Sequence, residues 1–200
     1  MHILATERLD LRTVEPGDAA FYLELVNDPA FIEHIGDRGI HTLEDAEEAL
    51  VLGPIAMQEL RGHSLYVVAL KETGVPIGMC GLIKRESLDG VDIGYAFLPH
   101  YRGQGYACEA GQGVLAYAPS LGIRRVLAIT SPNNIASNYL LRKMGLRFER
   151  FVHLVPDDAG TNLYSIDLEP DNSGMGGDTR LPELARAVQA LAPPAHGSPL

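Results

Sequence analysis

Residues Tyr95 to Ala110 read Tyr-Ala-Phe-Leu-Pro-His-Tyr-Arg-Gly-Gln-Gly-Tyr-Ala-Cys-Glu-Ala. An apolar, strand-like run from Val91 stops at Leu98, and a loop from Pro99 to Gly105 feeds straight into a helical pattern. This order aims a series of backbone N–H groups at one point, at the positive end of a helix, which suits a pyrophosphate. Gly103 and Gly105 fall where a Cβ would hold an anion away from the backbone. Arg102 adds a positive charge beside them. Alone, such a loop also serves as a plain connection with two turn glycines. It is neither of the two common nucleotide fingerprints, for it lacks both Gly-x-Gly-x-x-Gly at the head of a βαβ unit and Gly-Lys-Ser/Thr.

On the N-terminal side, Ser64–Lys71, Pro76–Lys84 and Val91–Leu98 are rich in apolar and β-branched residues, and turn signals at Glu72-Thr73-Gly74 and Ser87-Leu88-Asp89-Gly90 separate them. They read as a three-strand meander. Before it, Leu9–Val14 alternates as a first strand, and Asp18 is placed to cap a helix running to about Val26. Asn27-Asp28-Pro29 ends that helix, and a short helical piece follows to Ile35. Thr42 with Asp45 resembles a capping box for a helix over Leu43–Leu60, with an interruption expected at Gly53-Pro54. On the C-terminal side come a helix ending near Gly122, a strand Ile123–Thr130, a helix Asn134–Met144 stopped by Gly145, and strands Leu146–Val155 and Asn162–Leu168, expected to be antiparallel neighbours. The result is an α/β chain with a mixed sheet and helices on its faces. Residues 1–169 read as one domain; from Pro170 to Leu200 the composition is that of a flexible linker, with amphipathic helical spacing over Leu181–Leu191.

Bulk properties narrow the classes of function. Two hundred residues, 46% hydrophobic and 21% charged, suit one folded domain without a membrane span or a signal peptide. Cys80 and Cys108 give neither a disulfide framework nor metal spacing, and a cytoplasmic setting with buried free thiols fits them. His34, His41 and His63 form no metal-site spacing. A net charge of −10 argues against nucleic acid and for a cationic partner such as an amine or a basic peptide end.

A second motif follows the first after one strand: Asn134-Ile-Ala-Ser137-Asn-Tyr139-Leu-Leu141-Arg-Lys-Met-Gly145-Leu146. Arg102-Gly103-Gln104-Gly105-Tyr106-Ala107 resembles the Arg/Gln-x-x-Gly-x-Gly/Ala motif of the GNAT superfamily of N-acetyltransferases, and the second stretch resembles that family's Asn-x-x-Ser…Lys-x-Gly-Phe segment with Leu146 in place of the aromatic. The resemblance covers roughly Thr6 to Leu168. It implies a GNAT-like fold with a mostly antiparallel, twisted sheet of about seven strands, splayed at the cofactor site and flanked by helices. It implies acetyl-CoA as cosubstrate, with no metal. The backbone of Ala96, Phe97 and Leu98 would meet the pantetheine arm. Amides from Gly103, Gln104, Gly105, Tyr106 and Ala107 would hold the pyrophosphate with Arg102 nearby, and Asn134 would touch the cofactor from the other side. A backbone N–H at the splay would stabilise the developing oxyanion.

Catalysis requires a base for the ammonium and an acid for the thiolate. Many members of the family carry a tyrosine on the second-motif helix as that acid, and here the matching position is Leu141. Ser137 is the alternative, as in the branch resembling ribosomal-protein N-terminal acetyltransferases, although it also reads as a small packing residue. Tyr139 is expected to pack. Asp92, in Val-Asp-Ile-Gly-Tyr, is the best-placed carboxylate for the base, its competing reading being a solvated strand residue. Glu109 reads as a complement to the helix dipole, His100 as a surface turn residue and Cys108 as a packed thiol. The expected activity is acetyl transfer from acetyl-CoA to a primary amine, of a protein N-terminus or a small molecule, by direct attack. The alternative is a non-catalytic acyl-CoA-binding sensor or scaffold. Monomer and homodimer both remain open.

Overall fold

The computed structural model describes residues 1–154 and 158–169. The meander forms β3 (Leu65–Leu70), β4 (Pro76–Lys84) and β5 (Val91–Phe97), antiparallel throughout, with Cys80 opposite Tyr95 and Gly78 opposite Phe97. Around it, β1 (His2–Ala5), β2 (Leu9–Arg12), β6 (Arg125–Thr130), β7 (Arg147–Val152) and β8 (Thr161–Asp167) complete one sheet in the order β1-β2-β3-β4-β5-β6-β8-β7. The sheet has eight strands among the described residues, not about seven: β1 adds a four-residue edge, with Leu4 opposite Leu11. The two last strands are antiparallel neighbours, but β8 lies between β6 and β7. The strand expected to reach Val155 ends at Val152, and Val155 itself lies outside the described residues, as does the whole tail from Pro170, including the helix expected at Leu181–Leu191.

Side-chain alternation along the strands sends two sets of residues to opposite faces. On one face Leu9, Tyr66, Val68, Leu82, Ile93 and Phe97 pack with α5 (Tyr106–Tyr117) and α6 (Ile135–Lys143) through Val114 and Leu141. On the other, Val67, Met79 and Ala96 meet α1 (Ala19–Val26), α2 (Pro29–His34) and α3 (Leu43–Leu50) through Leu25, Phe31 and Leu50. Each such fully buried aliphatic side chain stabilises by about 1.5–3 kcal/mol before the ordering cost.

The Thr42–Asp45 capping box forms with both reciprocal bonds. Pro54 has no N–H to return to the preceding turn, and the chain accommodates it in a π-helical turn, Val51–Ile55, before continuing as α4 (Ala56–Arg61). Asp18 does stand before α1, but its carboxylate accepts from the two terminal nitrogens of the Arg12 guanidinium, at 2.6 and 2.8 Å, rather than capping that helix. Among the described residues no helix is long and apolar enough to cross a membrane.

The feature that positions the site is a break in pairing. β5 runs parallel to β6, and only Val91 and Asp92 are paired, with Val126 and Leu127. All six residues of β6 meanwhile pair with β8. From Ile93 to Phe97 the far edge of β5 therefore has no strand beside it among the described residues, and the sheet opens like a V whose vertex is Asp92.

Candidate active site

The cleft in that V has a volume of about 920 Å³. Its edge is main chain. The Leu98 N–H donates to the Ile77 carbonyl at 2.9 Å, and antiparallel alternation then turns the main-chain groups of Ala96 toward β4 as well. The groups facing the open side are those of Ile93, Tyr95 and Phe97. Of the three residues whose backbone was expected there, Phe97 fits. Ala96 contributes its side chain to the lining instead, and Leu98 is buried in the core against α1–α3.

Beyond Phe97 the chain makes a 3₁₀ turn at Pro99–Tyr101 and enters α5 through Gly103 and Gly105, at φ +74° and +85°. Only glycine takes such values readily. The first helical bond is Glu109 N–H to Gly105 C=O, 3.0 Å. The N–H groups of Gly103, Gln104, Gly105, Tyr106 and Ala107 find no acceptor among the described residues. Five such donors at a helix start are suited to an anion such as a pyrophosphate.

Side chains fix this loop from three directions. Arg102 donates through Nε to the Phe97 carbonyl, 2.8 Å, and through Nη2 to buried Asp28, 2.5 Å. It is thereby a brace between β5, the loop and α2, and its guanidinium is largely committed before any phosphate arrives. Gln104 Nε2 donates to the His100 carbonyl at 2.7 Å. Glu109 accepts from the Thr6 hydroxyl, the Arg8 N–H and Arg8 Nε, at 2.6, 2.7 and 2.7 Å, so it does more than complement a dipole: it ties the β1–β2 turn to α5. Burial pushes the Glu109 carboxyl upward, but the bonds from Thr6 and Arg8 outweigh it and hold the group below its ordinary range.

On the α5–α6 face, the Tyr95 hydroxyl meets the Ser137 hydroxyl at 2.8 Å. Burial pushes the Tyr95 phenol up to about 12, against the opposing pull of Ser137, so it stays protonated at neutral pH. Ser137 is held in turn by its backbone: its N–H donates to Asn134 Oδ1, 3.0 Å, making Asn134 the cap of α6. Asn138 anchors that helix to β8 by accepting from Asn162 Nδ2 and the Tyr164 hydroxyl at 2.9 and 2.7 Å. Tyr139, expected to pack, is 68% exposed and stands at the cleft rim. Leu141 is fully buried, so no phenol reaches the site from α6 at that position.

Asp92 lies at the vertex with 1% exposure, on the face covered by α1–α3. It is not a solvated strand residue. Burial pushes its carboxyl up, partly offset by Arg85, whose Nε lies 2.9 and 3.2 Å from the two carboxylate oxygens. Asp92 and Ser137 thus line one cleft from opposite faces of the sheet. Tyr95 and Arg85 had not been singled out from the sequence. Cys80 and Cys108 are buried free thiols as expected, and the Cys80 thiol is pushed up to about 12 by burial. Among the described residues no three His, Cys, Asp or Glu side chains cluster as metal ligands.

Comparison with known proteins gives a family to this strand splayed at a glycine-rich helix start. A family model described as an acetyltransferase (GNAT) domain matches residues 8–147, and the chain belongs to that family. Its relatives include an uncharacterized N-acetyltransferase of Bacillus subtilis, YnaD, 30% identical over 154 residues that span 76% of this chain and 85% of that one. The crystal structure of a GNAT-family acetyltransferase from Bacillus anthracis superposes with a TM-score of 0.69 at 25% identity, over 84% of this chain and 98% of its own. RimL, a ribosomal L7/L12 alpha-N-protein acetyltransferase solved in complex with coenzyme A, shares the fold at TM-score 0.64 and 18% identity, over 86% of this chain and 100% of its own.

Proposed function

We propose that this protein transfers an acetyl group from acetyl-CoA to a primary amine, of a protein N-terminus or a small molecule, by direct attack without an acyl-enzyme. The observation that carries this is the open edge of β5 leading to five unpaired N–H groups at the head of α5. Acetyl-CoA supplies the activated acetyl thioester. The residues that would hold it are Phe97 through its main chain, Gly103 to Ala107 through their amides, and Asn134 from α6. Asp92 takes the proton from the incoming ammonium, and its upward-shifted carboxyl makes it a better base than an ordinary aspartate. Ser137 gives a proton to the departing sulfur while Tyr95, the protonated phenol bonded to it, shares its own, and the second proton that the nitrogen sheds as the amide forms restores the pair. Tyr95 thereby supplies from β5 what Leu141 denies on α6. A main-chain N–H on the open edge of β5 stabilises the charge that develops on the acetyl oxygen.

The test is acetyl-CoA consumption followed by free-thiol release across a panel of amines. Amine-dependent release supports transfer. Tight acetyl-CoA binding with no release for any amine would leave the protein a non-catalytic acyl-CoA sensor.

A further inference from the structure

The chain is acidic, with a net charge of −10, yet its cleft is not. Arg38, Arg85, Arg102 and Lys143 line it, and among the described residues Asp92 is the one carboxylate that does. Arg102 is spent on Phe97 and Asp28. Arg85 is shared with Asp92. Arg38, in the segment after α2, makes no ion pair among the described residues, and the carboxylate next to it, Asp37, is turned to the Gly39 N–H at 2.8 Å. Phe31, Ile35 and Tyr22 line the same wall and give it an apolar surface. The Tyr22 phenol is raised by burial and drawn back by the charge of Arg38.

A cation without an ion pair among the described residues, on the apolar wall of a cleft that also holds a buried carboxylate, complements a molecule carrying both charges. We propose that the acceptor is an amine that also bears a carboxylate or phosphate and an apolar portion, and that Arg38 selects for the anion while Asp92 receives the ammonium. This rests on the acetyl-transfer reading of the same cleft. It disfavours polyamines and basic peptide ends, which the overall charge alone would have favoured, because a cleft focuses its own local field.

Matched pairs test it. Phenylalanine against phenylalanine amide gives the small-molecule arm, and C-terminally amidated Ser-Glu-Phe against Ser-Gln-Phe gives the peptide arm. Thiol release is measured alongside calorimetric binding in the presence of free CoA. The anionic member of at least one pair should be preferred about tenfold or more. Arg38→Ala should erase most of that preference through KM, and Arg38→Lys should retain part of it, while acetyl-CoA affinity should not change. Equal use of both members in both arms, an unchanged preference in Arg38→Ala, or no binding of any anionic member overturns the proposal. Preferential binding of the anionic members without thiol release would sink the transfer reading and leave this one standing.

Discussion

The two halves of the cleft are built from different materials. The half proposed for the acyl donor is main chain: five amides at the head of α5 and the free edge of β5, with side chains such as Glu109 and Arg102 acting only as braces behind them. The half proposed for the acceptor is side chain: Asp92, Arg85 and Arg38 against the helices α1–α3. A backbone site needs residues that permit a conformation, and so constrains its sequence to glycines at fixed positions. A side-chain site needs charges brought together from distant segments, and can be rewritten without disturbing the fold. One scaffold can therefore keep a single donor while its acceptor changes.

The largest expected effect falls where the halves meet. Tyr95→Phe removes the phenol while keeping the ring, and should lower kcat by about 10²-fold, a typical size for general acid catalysis, with little change in acetyl-CoA affinity. Ser137→Ala should cost about as much, and the double variant little more than either, because the two hydroxyls form one path 2.8 Å long. Additive losses would break the relay, and two near-silent variants would leave positioning and the backbone contact as the whole mechanism. Asp92→Asn should lower kcat/KM by a comparable factor, most at low pH, where the acceptor is most fully an ammonium. A uniform loss at all pH values would instead make Asp92 a binding group for the ammonium.

A smaller effect isolates the donor half. Gly105 sits at φ +85°, and a Cβ there would meet Arg8 Nη2 at 3.3 Å. Gly105→Val forces a branched residue into the left-handed region and crowds the amides. Acetyl-CoA affinity should fall about tenfold or more, at least 1.4 kcal/mol, while circular dichroism shows the fold retained. Titration of the variant with acetyl-CoA checks it, and an unchanged Kd in a folded protein would remove the loop from the site.

The same division governs what could be read without coordinates. The loop from Pro99 to Gly105 and the helix behind it were legible because glycine requirements are local. The Asn134-to-Ser137 cap spans only three residues, but Asn134 had been read for a cofactor contact and not as a cap. The edge strand β1 was not legible, since four residues starting at His2 carry too little pattern and gain their pairing only from β2. The Tyr95–Ser137 contact joins residues 42 apart and depends on how α6 leans over the V. Tyr139 was misjudged for a related reason: an aromatic on an amphipathic helix normally packs, but here its side of α6 looks into the opening rather than onto another element. Asp92 stands opposite Ile83, and Arg85, just past the end of β4, reaches back to it diagonally, a meeting that only the register of the hairpin decides.

The smallest expected effect separates the halves by the sign of a slope. Asp92 and Glu109 are both largely buried carboxylates, but they are shifted in opposite directions: Asp92 upward by burial, Glu109 downward by the Thr6 and Arg8 bonds that outweigh its burial. A raised folded-state pKa means that the native state holds its proton longer than the unfolded chain. Asp92 therefore costs stability as pH rises from the ordinary aspartate value of about 3.9 through its folded value. A lowered one means the reverse, so the contribution of Glu109 is present above its ordinary value of about 4.3 and is lost as pH falls through its folded value. Melting temperatures of Asp92→Asn and Glu109→Gln, each taken relative to wild type from pH 3 to pH 7, should diverge. The Asp92→Asn difference should grow more positive with rising pH and the Glu109→Gln difference more negative. The signs of the two slopes, rather than their sizes, carry the comparison. Slopes of the same sign would mean that Arg85 outweighs burial at Asp92, and the acceptor half would then hold an ordinary ion pair in place of a carboxylate tuned to take a proton.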